Sequence, residues 1–386
     1  MIVLKTRFCR KALAGCCTAV LVLACGFSGC EKAPGEVPGG ASSAAVSSAA
    51  ASSEAETEKI TQTDVVPDVA PGKYPGFFRA GKPAFVIPGL ANGLVPQGMC
   101  RIASGSEVVV SCYSSSDGDS SVLACVDEKS GKLKKTIGML NADGSVYTGH
   151  AGGVAASGKS LWVVSDGLAR RMDLQAFLKA GDGDKVKFSD QFSTGTRASF
   201  TNCVDGVLWV GDFFKPGGSY NTEASHRLTA PDGSESHAWI VGFKLDPSSA
   251  NELKAESVAG ASEPATPDYV LSIPDEIQGM TRLKSGEFVL SQSYGRKNAS
   301  ALFVYRNVLN SGSDRTVQIN GKAVPLLFLD SKNLVKNISA PPAMEALERS
   351  GERILILFES ATDQSRDTAL DPVDDVMSLD PSAILK

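Results

Sequence analysis

Gln97, His150 and Gln278 each open a segment in which an apolar strand, a tight turn and a second apolar strand follow in order. The second strands of such segments end at Tyr113, Asp166, Asp212, Tyr294 with Arg296, and Glu359, and Glu345 stands inside the last segment. Amides, an imidazole, phenols, a guanidinium and carboxylates at matched points of a repeat meet in one place if the repeats form a ring. Such a set supports two kinds of chemistry. Gln97, His150, Gln278, Tyr294 and Arg296 can hydrogen-bond a polar ligand and fix its orientation. Alternatively, Glu345 with Asp166 and Asp212 can offer oxygen ligands to one divalent metal such as calcium. His150 would then act as the catalytic base beside a metal-polarised carbonyl or water. Counted along the repeat, the counterparts of Glu345 are Met99, Gly152, Phe200 and Met280. An acid in an otherwise apolar position is costly without a partner, which singles it out.

The segments themselves explain why these residues converge. QGMCRIASGSEVVVS, HAGGVAASGKSLWVVS, ASFTNCVDGVLWVGD, QGMTRLKSGEFVLS and AMEALERSGERILILFES begin at residues 97, 150, 198, 278 and 343. Each reads as a β-hairpin turning at Ser-Gly or Asp-Gly. Hairpin-led units recurring every ~45–80 residues are the signature of propeller blades. Further strand-like runs follow each hairpin, at 122–126 and 133–137, 168–173 and 186–192, 239–245 and 269–273, then 302–305 and 326–329. The fifth hairpin has one successor, 375–379, and the run AFVIP at 84–88 supplies the missing strand from the other end of the chain. The sequence thus predicts an all-β propeller of five four-stranded blades, closed by its N-terminal strand. A sixth, degenerate blade between 213 and 267 is the alternative. In this fold the residues opening the inner strands gather at the channel mouth, and the long insertion at 215–236 lies on the same face, where binding function resides.

The 386 residues divide into three materials. Residues 1–29 combine Lys5, Arg7, Arg10 and Lys11 with an apolar run, which is an export signal. Its end resembles a bacterial lipobox, with Cys30 as the lipidated residue and Cys25 as the alternative. Residues 30–71 are rich in Ala, Ser, Glu and Pro and cannot bury enough apolar surface to order, so they read as a tether. Residues 72–386 form the propeller. The chain is expected at the extracytoplasmic face of a bacterial envelope membrane, held by its lipid. Removing the signal takes the formal charge from −5 to −9, which disfavours nucleic acid as a partner. A small molecule, a glycan or a protein remains as the expected ligand. Four cysteines fall in the folded part, Cys100, Cys112, Cys125 and Cys203; they allow three complete pairings, and strand-borne unpaired Cys behaves as a small hydrophobe, so free buried thiols are expected.

No phosphate loop, His-Glu-x-x-His helix or Gly-x-Ser-x-Gly elbow is present. His226 and His237 sit apart in a polar insertion and make a poor zinc pair. The repeat layout over 83–386 resembles secreted bacterial propellers of the gluconolactonase-like and quinoprotein-like class. The resemblance implies the fold. In the gluconolactonase-like hydrolases acidic and amide side chains at the mouth hold one divalent metal, which implies a role for Glu345 with Asp166 or Asp212. The Glu-Gly-Pro opening of those hydrolases has no counterpart here.

Overall fold

The computed structural model describes residues 59–385 apart from 104, 258–262 and 314. The export signal, Cys25, Cys30 and most of the expected tether lie outside the described residues. No helix among the described residues is long and apolar enough to cross a membrane.

The chain adopts the β-propeller that its repeats imply. Five four-stranded antiparallel units follow one another, with inner strands Leu94–Ile102, Gly153–Ala156, Phe200–Val204, Ile277–Arg282 and Met344–Ser350. Each inner strand lies against the next, and the fifth returns to the first, so they ring a central channel. The second strands are Glu107–Ser114, Ser160–Ser165, Val207–Gly211, Phe288–Gln292 and Arg353–Phe358. They are almost wholly apolar because each blade buries both faces. Val108 and Val110 pack toward the fifth blade while Val109 packs toward the second. Five apolar clusters, one between each adjacent pair of blades, form the core. Trp162 and Trp209 are fully buried in two of them, as packing residues.

Closure also follows the expected route. Gly81–Val86 pairs antiparallel with Asp375–Leu379 as the outer strand of the fifth blade, which removes an open sheet edge. The last part of the expected tether belongs to the fold. The Gln62 side chain donates to the carbonyls of Val86 and Gly131 and accepts from Leu133 N, while the amides of Val65 and Val66 donate to Asp374. This extended segment has no core of its own, so composition alone reads it as tail. It is ordered by lacing the first and fifth blades together.

Two departures reshape the circumference. The apolar run at 326–329 is not the outer strand of the fourth blade, as its position after 302–305 implies. That place is taken by Leu334–Ala340, whose exposed and buried positions partly alternate. The run instead lies in a hairpin, Arg315–Ile319 with Lys322–Phe328, that adds to the third blade in parallel with Tyr269–Ile273. The outer strands of the first and second blades, Lys132–Leu140 and Lys185–Ser193, also pair in parallel and fuse those blades into one eight-stranded sheet. All four cysteines are free, and burial raises their thiols, Cys112 to about 12 and Cys125 to about 11.

Candidate functional site

The channel mouth is built by β-bulges. Register slips between Pro96 and Gly98, between Ile277 and Gly279, and between Met344 and Leu347 leave Gln97, Gln278 and Glu345 without direct cross-strand partners. A bulge re-aims a side chain out of strict alternation, and these three use that freedom to meet polar groups of neighbouring blades. Gln278 Nε2 donates to Glu345 Oε1 at 3.1 Å. Gln97 Nε2 donates to Glu359 Oε2 at 2.8 Å and to the Pro96 carbonyl at 2.9 Å. Gln97 Oε1 lies 2.7 Å from His150 Nε2. An amide oxygen only accepts, so His150 is the Nε2–H tautomer and its Nδ1 lone pair is left over, with no protein partner among the described residues. The imidazole stacks on Tyr113 with ring centroids 4.5 Å apart.

The electrostatics of this mouth are set by dry surroundings. Glu345 is 3% exposed, and burial, followed by the charge of Glu359, lifts its carboxyl well above the ordinary range despite the opposing hydrogen bond from Gln278. Burial also raises Glu359, against the pull of Gln97 and the nearby Arg296. His150 faces solvent at the mouth yet is walled by protein, and desolvation lowers its pKa, with Asp166 opposing. Tyr113 is pushed up to about 12 by burial and then by Glu359 and Glu345. Burial at the mouth thus favours the uncharged forms of Glu345, His150 and Tyr113.

Aromatic side chains extend the mouth outward. Tyr294 and Tyr220 are 39% and 55% exposed, and both pack on Phe213, with centroids 6.3 and 5.3 Å away. Lys215 Nζ stands 4.4 Å from the centre of the Tyr294 ring and pairs with Glu276 at 2.6 Å. Arg296 is exposed and acts electrostatically on Glu359 and Tyr113.

The expected metal set does not assemble. Asp212 is fully buried with both carboxylate oxygens occupied, Oδ1 by Arg197 N at 2.6 Å and Oδ2 by His226 Nδ1 at 2.7 Å and Trp239 N at 3.0 Å. Asp166 and Gly167 have φ of 54° and 79° and form the two-residue turn of a hairpin, where Asp is a turn former. Glu345 is engaged by Gln278, and burial raises its carboxyl, which disfavours the charged form a metal would need. No group of three or more His, Cys, Asp or Glu among the described residues is arranged to hold an ion. The donor set therefore does not fit the single-metal arrangement that the resemblance implied, and no chemistry is derived through one.

The fold brings Gln97, His150, Gln278, Glu345 and Glu359 to one mouth, but the register of Glu345 differs from the one its place in the repeat suggests. Ala343 and Glu276 both take left-handed backbone, at φ 57° and 63°, so Glu345 is the positional counterpart of Gln278 rather than of Met280. The buried pair of Asp212 and His226 escapes sequence reasoning altogether. Its only signal in the sequence is one histidine in an insertion that follows directly on an Asp-ended strand.

No protein-family description and no curated protein matches the chain. Solved structures do. The PQQ-bound aldose sugar dehydrogenase of Streptomyces coelicolor is similar at a TM-score of 0.43 and 12% identity, over 78% of this chain and 96% of that one. Glutaminyl cyclase of Myxococcus xanthus is similar at 0.37 and 9% identity, over 72% and 89%. The putative oxidoreductase (glucose dehydrogenase) of Thermus thermophilus is similar at 0.36 and 10% identity, over 78% and 99%. At these identities the likeness is one of fold alone.

Proposed function

We propose that this chain is a lipid-tethered extracytoplasmic propeller that binds a polyhydroxylated small molecule, such as a terminal sugar of a glycan, at its channel mouth. The observation that carries the reading is the pair of bulge-built clusters, Glu345 with Gln278 and Glu359 with Gln97 and His150, opening beside the exposed rings of Tyr294 and Tyr220. Burial favours the proton-bearing form of Glu345, which can donate, while His150 Nδ1 and the free amide and carboxylate oxygens accept and Arg296 adds charged donors. Neighbouring hydroxyls need donors and acceptors interleaved in this way. Amphipathic tyrosines cover the apolar face of such a ligand at low entropic cost.

Calorimetric titration with neutral mono- and oligosaccharides tests it. A binding sugar is expected, with affinity reduced about tenfold or more in Gln278→Ala and in Tyr294→Ala, since each removes a hydrogen bond or an aromatic contact at an otherwise desolvated site. Absence of binding across the neutral panel would end the glycan reading. A metal-free hydrolytic use of the same mouth has one observation in its favour, a buried carboxyl shifted upward near a second carboxyl and an imidazole shifted downward, which is the pattern of split acid and base. Release of product during titration, abolished in Glu345→Gln, would identify it.

The tether is tested separately. Incorporation of a tagged fatty acid should persist in Cys25→Ser and vanish in Cys30→Ser. Labelling that survives loss of both cysteines would rule out lipid attachment at the end of the signal.

A further inference from the structure

A second cavity is lined by none of the clustered mouth residues, although Asp166 on its lining also acts on His150. It measures 690 Å³ and is enclosed by the join between the second and third blades, together with two insertions. One insertion supplies Glu223 to His226; the other supplies Val317 to Asn320 from the hairpin added to the third blade. Asn320 Nδ2 donates to the Pro264 carbonyl at 2.6 Å and to Thr266 at 3.1 Å, fastening that hairpin over the space. Two excursions from different blades thus build walls around a volume within the ~300–1,000 Å³ range of small-ligand sites.

The lining is divided. Val241, Pro264, Ala265, Val317 and Ile319 supply its apolar part. The polar part of the lining includes His226, a residue 3% exposed, bound through Nδ1 to Asp212 and stacked 3.9 Å from Trp239. That ring is fixed in place, and its Nε2 has no protein hydrogen bond among the described residues. Trp239 Nε1 is buried with no partner. An orphaned buried donor and an unused imidazole nitrogen beside a cavity are what a ligand's polar group would satisfy. Around the rim stand Arg197, Asp166 and Glu223, all exposed and none in an ion pair among the described residues. Arg197 takes part in the fold through its backbone alone, its amide donating to Asp212 and its carbonyl accepting from Gly167 N.

We infer that this cavity is a second ligand site that takes a short apolar peptide with free termini. Its carboxylate meets Arg197, its ammonium meets Asp166 and Glu223, its peptide group meets His226, and its side chains lie on the Val241 and Ile319 wall. Uncompensated charges of both signs above an apolar floor match a zwitterion with hydrocarbon side groups, and the volume holds roughly two or three residues. This inference stands apart from the reading of the mouth.

The probe is leucyl-alanine, compared with its N-acetyl and C-terminal amide forms by calorimetry and thermal shift on the full folded domain. Leucyl-alanine is expected to bind and raise the melting temperature, and blocking either terminus should weaken it about tenfold or more. Arg197→Ala, whose side chain carries no structural bond, should bind the amide and the free acid equally. Asp166→Asn with Glu223→Gln should erase discrimination against the acetylated form. Ala265→Phe should fill the floor and abolish binding, while Gln278→Ala at the mouth should leave it unchanged. No binding at millimolar peptide, equal binding of all three forms to the unaltered protein, or binding that survives Arg197→Ala with its preference for the free acid intact would overturn the inference.

Discussion

Replacing Gly279 by Ala should destabilise the propeller by about 3 kcal/mol and abolish ligand binding at the mouth. A Cβ at that position would stand 2.7 Å from the Glu345 carbonyl, 2.9 Å from Ser291 Oγ and 3.0 Å from Ala346 Cα. Two of those atoms belong to the backbone of the neighbouring inner strand, so the clash cannot be relieved by a rotamer change. Ser291 Oγ meanwhile donates to the same Glu345 carbonyl at 2.6 Å, and pushing that carbonyl away breaks the bond and shifts the carboxyl from Gln278. Gly98 and Gly153 make the same close approaches between the first and second and between the second and third blades, 2.4 Å to Val154 N and 2.7 Å to Thr201 N. Urea unfolding of Gly279→Ala beside Gly76→Ala gives an internal contrast. Gly76 lies in the helix Pro75–Ala80, where an added Cβ meets only Ile338 at 3.5 Å, so that change should stabilise by about 0.5–1 kcal/mol. Equal stabilities for the two variants would refute the close-contact account of the inner ring.

The second large effect is a pH dependence centred on Glu348. This residue sits deeper in the channel than Glu345, with Oε2 accepting from Asn202 Nδ2 of the third blade at 2.8 Å. Burial raises its carboxyl from 4.5 to about 8, with the hydrogen bonds from Arg101 and Asn202 opposing. The folded protein therefore holds a proton that the unfolded chain releases above its ordinary value. Stability is full below pH 4.5, falls as pH rises toward 8, and is flat beyond as far as this residue is concerned. The loss amounts to roughly 3 kcal/mol by neutral pH as an upper figure. Glu348→Gln keeps an oxygen for Asn202 and removes the titration, so it should be more stable than the parent at pH 8 and nearly equal to it at pH 4. Denaturant melts at the two pH values decide the matter. A variant no more stable at pH 8 would mean that Glu348 is already ionised in the fold.

What could be read in advance depended on whether the signal was local. Alternating and continuous apolar runs around Ser-Gly and Asp-Gly turns mark every inner hairpin, because turn chemistry and two-sided burial are written in adjacent residues. The closing strand was legible since an unpaired edge must be covered. Glu345 stands out in the sequence but against the wrong counterparts, because a bulge adds a residue without any change in composition. The run at 326–329 falls in a different blade for a related reason. Its apolarity announces a strand, but parallel pairing with Tyr269–Ile273 is a long-range choice that no neighbouring residue encodes. Asp212 reads as an open carboxylate at a strand end; its three donors come from a loop, an insertion and the next strand, which only the folded chain brings together.

The closing strand also imposes an order in time. Gly81–Val86 is among the first parts of the domain to be synthesised, and its partner Asp375–Leu379, just ahead of the helix Pro381–Leu385, is among the last. Until then the first four blades can assemble from contacts between successive hairpins, while the early strand waits with a bare edge. Ring completion thus pairs Gly81 with Leu379 and Val86 with Asp375, residues from opposite ends of the domain sequence, and such contacts come late and slowly. The Gln62 and Asp374 lacing shares that delay, since one of its anchors is at the far end of the chain. A ribosome-bound or truncated chain ending before 375 would accordingly be an open arc with a sticky edge, and capture of that edge by another such chain is the misassembly this architecture has to outrun.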